Sequence, residues 1–233
     1  MLERADSAVQ AVRKQIPMRG NVQTDIDQTH GDAHHRAYAT RTTVTANLRA
    51  RLQKYDPAKL PDGLTSTILA AASAKITGAG NCEDFRAATL LEAGERLESG
   101  EQLVAVVNDA GDHTFVQMET KRRDGTTQVV VLDAWANGPA VLAQDCPYAQ
   151  MDPGKHLEVR VTSKAQALAA KKMVAALVND FNKDGPALAE LRTVIENRKK
   201  KELEALQQGR QPVRGRVFSE EHVTGEDMTQ PLR

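Results

Sequence analysis

Two periods of hydrophobic and polar positions divide this chain. Val44, Leu48 and Leu52 recur every fourth residue and predict a helix from Thr43 with one apolar face. Residues 2–15 predict a short helix before it, ended by Pro17 and Gly20. Between these, GNVQTDIDQTHGDAHHRAYATRTT is polar, has no apolar period and reads as a loop. Pro57, Pro61 and Gly63 then break the chain. Thr65 or Ser66 can cap a helix through ILAAASAKI, which Gly78 stops. After Cys82, residues Phe85, Ala88, Leu91, Ala93 and Leu97 give an uneven apolar stripe that predicts a helix closed by Gly100.

Beyond Gly100 the period shortens to that of strands. QLVAVVND, HTFVQMET and QVVVLDAW are apolar runs rich in β-branched residues, separated by the turn stretches NDAGD and RRDGTT. They predict an antiparallel meander directly after the cysteine-bearing helix. Residues 136–155 read as an irregular loop and HLEVRVTS as a fourth strand. Ser163 can cap a helix from about Lys164 to Asn182, with Leu168, Met173, Leu177 and Phe181 on its stripe. Asp184-Gly185-Pro186 is a turn, and Pro186 suits the start of a last helix toward Gln208 that carries Leu188, Leu191, Ile195, Leu203 and Leu206. Its charged middle, ENRKKKELE, reads as a solvated face. The expected class is α+β. A helical N-terminal extension with a polar loop spans 1–63 and an α+β core 64–182, its cysteine-bearing helix packed on an antiparallel sheet. A C-terminal helix at 183–208 and a flexible tail at 209–233 follow.

Composition narrows this picture. Of 233 residues, 40% are hydrophobic but only 3% aromatic, so the core must be built from Ala, Val and Leu. The 31 basic and 31 acidic residues balance, which leaves no basic excess for non-specific nucleic-acid binding. No apolar run approaches the roughly 18 residues of a membrane span, and MLERADSAVQAVRKQIPM has no apolar signal core. The expected location is the cytoplasm, or outside the cell by a route that needs no such signal. Two cysteines, Cys82 and Cys146, make no disulfide framework.

Three residues are placed for chemistry. Cys82 opens a helix, His113 opens the second strand, and Asp133 ends the third. A thiol attacks as thiolate, which a helix N-terminus and a neighbouring imidazolium both favour. A carboxylate on the far ring nitrogen then fixes the imidazole. The hairpin sets a condition. With a three-residue loop, Arg123-Asp124-Gly125, Arg122 pairs with Thr126, Trp135 faces His113, and Asp133 falls within diagonal reach on the same face. A two-residue Asp-Gly turn would point Asp133 away. Oxyanion donors are the Cys82 N–H and either the Asn81 side chain or one from upstream. Trp135 packs, or walls a substrate groove. Cys146 reads as structural. His30, Asp32, His34 and His35 have zinc-ligand types at short spacing, but sit in the polar loop; no metal or other cofactor is expected. Arg122-Arg123 and Lys199-Lys200-Lys201 read as solvated surface.

GNCEDFRAATLLEA, GDHTFVQM and VVVLDAWANGPAVLAQD together resemble the cysteine–histidine–aspartate core of papain-like and transglutaminase-like hydrolases, in the form found in bacterial secreted effectors and toxins. The resemblance spans about residues 78–145. It implies Cys82 as nucleophile, His113 as general base and Asp133 as orienting acid. It further implies an effector delivered into a host cell, with a host protein as substrate. Protease, glutamine deamidase and transglutaminase are all compatible with it. One departure is Glu83-Asp84 after the cysteine, where such effectors carry a small residue; two carboxylates there oppose a thiolate. The alternative is a non-catalytic interaction protein on a degenerate version of this fold, with the helix 186–208 as a contact.

Overall fold

A computed structural model describes residues 1–55, 61, 63–109, 112–150 and 155–224. The expected break at Pro57, the centre of the NDAGD turn, residues 151–154 of the expected loop and residues 225–233 of the expected tail lie outside them. The chain is α+β. Helix α1 (Leu2–Gln15) buries Ala5, Ala8, Val9 and Val12, spacings that fall on one helical face. Helices α5 (Thr65–Thr77) and α6 (Cys82–Gly94) are buried nearly all round through Ala71, Ala72, Ala74, Ala87, Ala88 and Ala93. The small side chains let α1, α5, α6 and α8 (Lys164–Asn182) approach closely, so the core needs few aromatic residues.

The helices cover one face of a five-stranded antiparallel sheet ordered β6-β5-β4-β3-β7. Its strands are β3 (Glu101–Asn108), β4 (His113–Lys121), β5 (Thr127–Leu132), β6 (Val141–Leu142) and β7 (Lys155–Val161). Leu103, Ala105, Val116, Met118, Val130 and Leu132 meet the helices. Alternate residues Val104, Val106, Phe115 and Val131 form a second cluster with Cys146 and Tyr148 on the opposite face. The β4–β5 register pairs Val116 with Leu132 and Lys121 with Thr127. The Arg122 N–H donates to the Thr126 carbonyl at 2.8 Å, and Gly125 has φ +84°, a left-handed conformation that glycine adopts without strain. This is the three-residue loop that the triad requires.

Three expected irregular regions carry order. The stretch 20–43 forms α2 (Gln23–Gln28), α3 (Asp32–Ala39) and most of a π-helical turn (Thr40–Val44) that leads into α4 (Thr45–Leu52). Helix α2 buries Ile26, and α3 buries Ala33, Ala37 and Ala39 with His34 and His35, too few large apolar residues to show a period. Residues 136–155 contain β6, a 3-10 turn (Ala143–Asp145) and α7 (Pro147–Gln150). Each is shorter than one amphipathic repeat. After helix α9 (Gly185–Gln207), the segment expected as a flexible tail packs on the core as far as α10 (Glu220–Thr224), with Val217, Phe218 and Val223 buried. Phe218 makes a parallel bridge to Val22: its N–H donates to the Asn21 carbonyl at 2.8 Å, and its carbonyl accepts from the Gln23 N–H at 2.9 Å. Its ring meets Trp135 edge-on at 5.5 Å. Phe218→Ala removes this anchor and is expected to raise tryptic cleavage after Arg214 and Arg216 about tenfold, a local-opening effect that leaves core cleavage unchanged. Among the described residues no helix is long and apolar enough to cross a membrane.

Candidate active site

A short parallel pair sets the geometry of the site. β1 (Met18–Arg19) lies beside β2 (Ala79–Gly80), Met18 opposite Ala79 and Arg19 opposite Gly80. Continued by two residues, that register brings Asn21 alongside Cys82, and the Gly20 N–H still donates to the Gly80 carbonyl at 2.9 Å. A Cβ on Gly20 would stand 2.0 Å from Ala37 Cβ, so only glycine allows this strand end to lie against α3. His34 of α3 hydrogen-bonds through Nδ1 to the Gly20 carbonyl at 3.0 Å.

Cys82 is the first residue of α6 and is half-buried. Asn81, at the N-cap, is extended (φ −105°, ψ 179°). The Asp84 carboxylate reaches back to accept from the Asn81 N–H at 2.9 Å. Asn81 Oδ1 stands over the Asp84 N–H in capping-box position. That N–H donates at 2.9 Å to the Asn81 carbonyl instead, and Oδ1 is buried without a formed hydrogen bond. The two carboxylates that follow the cysteine are thereby accounted for. Glu83 pairs with Arg41 at 3.0 Å on the surface, and Asp84 is committed to the helix end. Burial pushes the Asp84 carboxyl up to about 6, against the downward pull of the Asn81 N–H. A raised carboxyl means that the folded chain binds the proton more tightly. Stability is therefore expected to fall by about 3 kcal/mol as pH rises from about 4 to 6. Asp84→Asn keeps the acceptor and removes the charge, so it should melt higher than the parent above pH 6, with that slope absent.

His113 Nε2 lies 2.5 Å from Asp133 Oδ2. Asp133 follows the end of β5 by one residue, and its Oδ1 accepts from the N–H groups of Trp135 at 3.1 Å and Ala136 at 3.0 Å. Arg13 of α1 clamps the same turn, donating to the carbonyls of Ala134 at 3.2 Å, Asp133 at 3.3 Å and Ala136. The His113 ring is buried between Tyr148, 4.4 Å away centroid to centroid, and Trp135, 4.9 Å away. Burial alone would push this imidazole down. The Asp133 carboxylate, and after it the Cys82 thiol, overcome burial and hold it at about 10. Asp133 moves the other way: burial would raise it, but the His113 ring and the two N–H donors bring it below the ordinary carboxylate range.

With Nε2 occupied, the ring nitrogen left for Cys82 is Nδ1. The thiol is close enough to act on the imidazole, yet no hydrogen bond of normal length and angle closes on the buried Nδ1. Cys82 and His113 line one crevice, and a contact short of a formed hydrogen bond is common in catalytic pairs without substrate. The structure thus brings Cys82, His113 and Asp133 together as the hairpin register demanded.

Trp135, read from sequence as packing or as a groove wall, is packing: it is 1% exposed and lies tilted against His113. Its indole N–H donates to Asn21 Oδ1 at 3.0 Å, which fixes the Asn21 amide. The Asn21 Nδ2 has no protein partner among the described residues, and Asn21 and Cys82 line one cleft of about 480 Å³. Asn21 is a candidate site residue that the sequence does not single out by number. Its signal is only the Gly-Asn pair at 20–21, which repeats the Gly-Asn pair at 80–81. Cys146 is buried under the far face of the sheet, and both cysteines are free. The histidine cluster disperses: His34 holds Gly20, His35 lies 3.3 Å from Glu202, and Asp32 pairs with Arg36 and Lys199. Among the described residues no group of three or more His, Cys, Asp and Glu side chains is arranged to hold a metal. No family model, no curated protein and no solved structure matches the chain.

Proposed function

We propose that the chain is a cysteine-dependent amide hydrolase or acyl transferase acting on a protein substrate. The observation that carries this reading is the buried His113, held by Asp133 on Nε2 with Nδ1 left to Cys82. Burying an ion pair is costly, and a merely structural histidine would be expected to fill both ring nitrogens. An imidazolium beside a thiol is the arrangement that makes a thiolate nucleophile.

In the proposed cycle, Cys82 Sγ forms a bond to the substrate carbonyl carbon. The oxyanion that develops takes the Cys82 N–H, one of the orphan donors of the helix end, and the Asn21 Nδ2. As the C–N bond breaks, the Nδ1 proton of His113 passes to the departing nitrogen. The acyl-enzyme is then attacked by water, or by an amine, whose proton returns to Nδ1; the S–C bond breaks and the thiolate is restored. Asp133 keeps its charge throughout and holds the ring.

Peptide cleavage, glutamine deamidation and transamidation share these steps and differ in substrate and acceptor. The resemblance to bacterial secreted effectors makes a host-cell lysate the substrate pool to test, treated with the native chain and with Cys82→Ala. New peptide termini identify a protease, a gain of about one mass unit at glutamine a deamidase, and isopeptide crosslinks a transglutaminase. Identical lysates overturn the proposal and leave the non-catalytic interaction protein.

A further inference from the structure

The cleft over Cys82 is unusually charged for a chain with no net charge. Arg41, Arg198, Arg214 and Arg216 line it, and Asp112 is the one carboxylate among its lining residues. Three of the four have acidic partners: Glu83 on Arg41, Glu202 on Arg214 and Asp112 on Arg216. Arg198 pairs with no carboxylate among the described residues. It lies over the Tyr38 ring at 4.2 Å and donates to the Val213 carbonyl at 3.4 Å, which sets it next to Arg214. The Nε atoms of both Arg198 and Arg214 are buried and have no hydrogen-bond partner. Four arginines thus meet three carboxylates around this cleft, which leaves one cation uncompensated there, and a carboxylate meets the fork of an arginine with two parallel bonds. His34, in the same cleft, is held below its ordinary range by burial and by the two arginines, and so adds no third charge there.

We infer that the substrate carries an acidic side chain, Asp or Glu, that seats between Arg198 and Arg214 near the amide that Cys82 attacks. This inference rests on the nucleophile reading of Cys82 and adds to it a class of substrate. Part of the acidic subsite comes from the segment after α9, since Arg214 and Arg216 precede the Phe218 anchor. The packed C-terminal segment is therefore part of the substrate site.

The test uses two alkylating agents of similar size, anionic iodoacetate and neutral iodoacetamide, with the label on Cys82 read by mass spectrometry and buried Cys146 as the internal control. The ratio of the iodoacetate rate to the iodoacetamide rate should exceed that of free cysteine. It should fall about tenfold in Arg198→Gln/Arg214→Gln, as removal of two nearby charges requires. Lys200→Gln, on the exposed face of α9, should keep the native ratio. An unaltered ratio in the double variant overturns the inference. If that variant does not fold, the native chain decides: millimolar glutarate should slow labelling by iodoacetamide while neutral glutaramide does not, and equal rates with the two overturn it. Failure of the nucleophile reading is seen separately. In that case iodoacetamide labels Cys82 no faster than free cysteine and His113→Ala changes nothing, while the reagent ratio still reports the charge of the cleft.

Discussion

Asp133→Asn is expected to slow acyl transfer about 10³- to 10⁴-fold while leaving the fold intact, the cost seen when a triad acid is replaced by its amide. The acceptor on His113 Nε2 is a carboxylate at 2.5 Å, itself held by two backbone N–H groups. With asparagine there, the amide NH₂ can donate to Nε2 and trap the proton on Nδ1, the nitrogen facing the thiol. The ring then cannot take the thiol proton. The charge also matters: without Asp133, burial is the largest influence left on His113 and works against its charged form. Two readouts follow. Hydrolysis of an activated ester should collapse at neutral pH. Iodoacetamide labelling of Cys82 should also slow at neutral pH in the variant, as for a thiol that lacks an ion-pair partner. Labelling that keeps the parent rate would overturn the ion-pair account. The pair also links stability to pH. Because the folded ring is raised to about 10, its contribution is full below about 6.5 and is lost as pH rises through 10; Asp133→Asn should lack that loss.

The triad was legible in the sequence because it depends on local rules that a sequence states. Cys82 follows a helix-capping residue, and a Gly at 125 in a three-residue loop sets a register that turns Asp133 toward His113. The observed pairing of Arg122 with Thr126 is that register. What stayed hidden depends on contacts between distant segments. Asn21 is positioned by the two-residue parallel pair of β1 with β2 and by a hydrogen bond from Trp135, and neither leaves a period in the chain. The helix α3 looked like a loop because its buried face is alanine and histidine. Phe218 looked like part of a polar tail because one buried ring among charged neighbours carries no pattern, although it closes over Trp135 and fixes the strand that holds Asn21. Trp135 looked capable of walling a groove. Its position between His113, Asn21 and Phe218 makes it instead the piece that joins the imidazole to the proposed oxyanion donor.

That junction makes Asn21 the residue with the second largest expected effect. Asn21→Ala should lower acyl transfer about 10²- to 10³-fold, the usual loss for one oxyanion donor. Alkylation by iodoacetamide displaces iodide at a saturated carbon and builds no oxyanion, so the same variant should lose less than tenfold there. A structural defect would lower both rates together, and that outcome would remove Asn21 from the oxyanion site. Trp135→Phe supplies the complementary arm. It leaves Nδ2 in place but removes the indole N–H that holds Oδ1 at 3.0 Å, so the amide is free to rotate. Acyl transfer should then fall about tenfold, since a donor that samples the wrong orientation supplies only part of its stabilisation. Once Asn21 is alanine, the bond that Trp135 made is already gone, so adding Trp135→Phe to it should cost little more. The two losses are expected to be strongly non-additive, as for residues that act through one hydrogen bond. Additive losses would mean that the indole acts on His113 alone and that the amide is oriented by something other than Trp135.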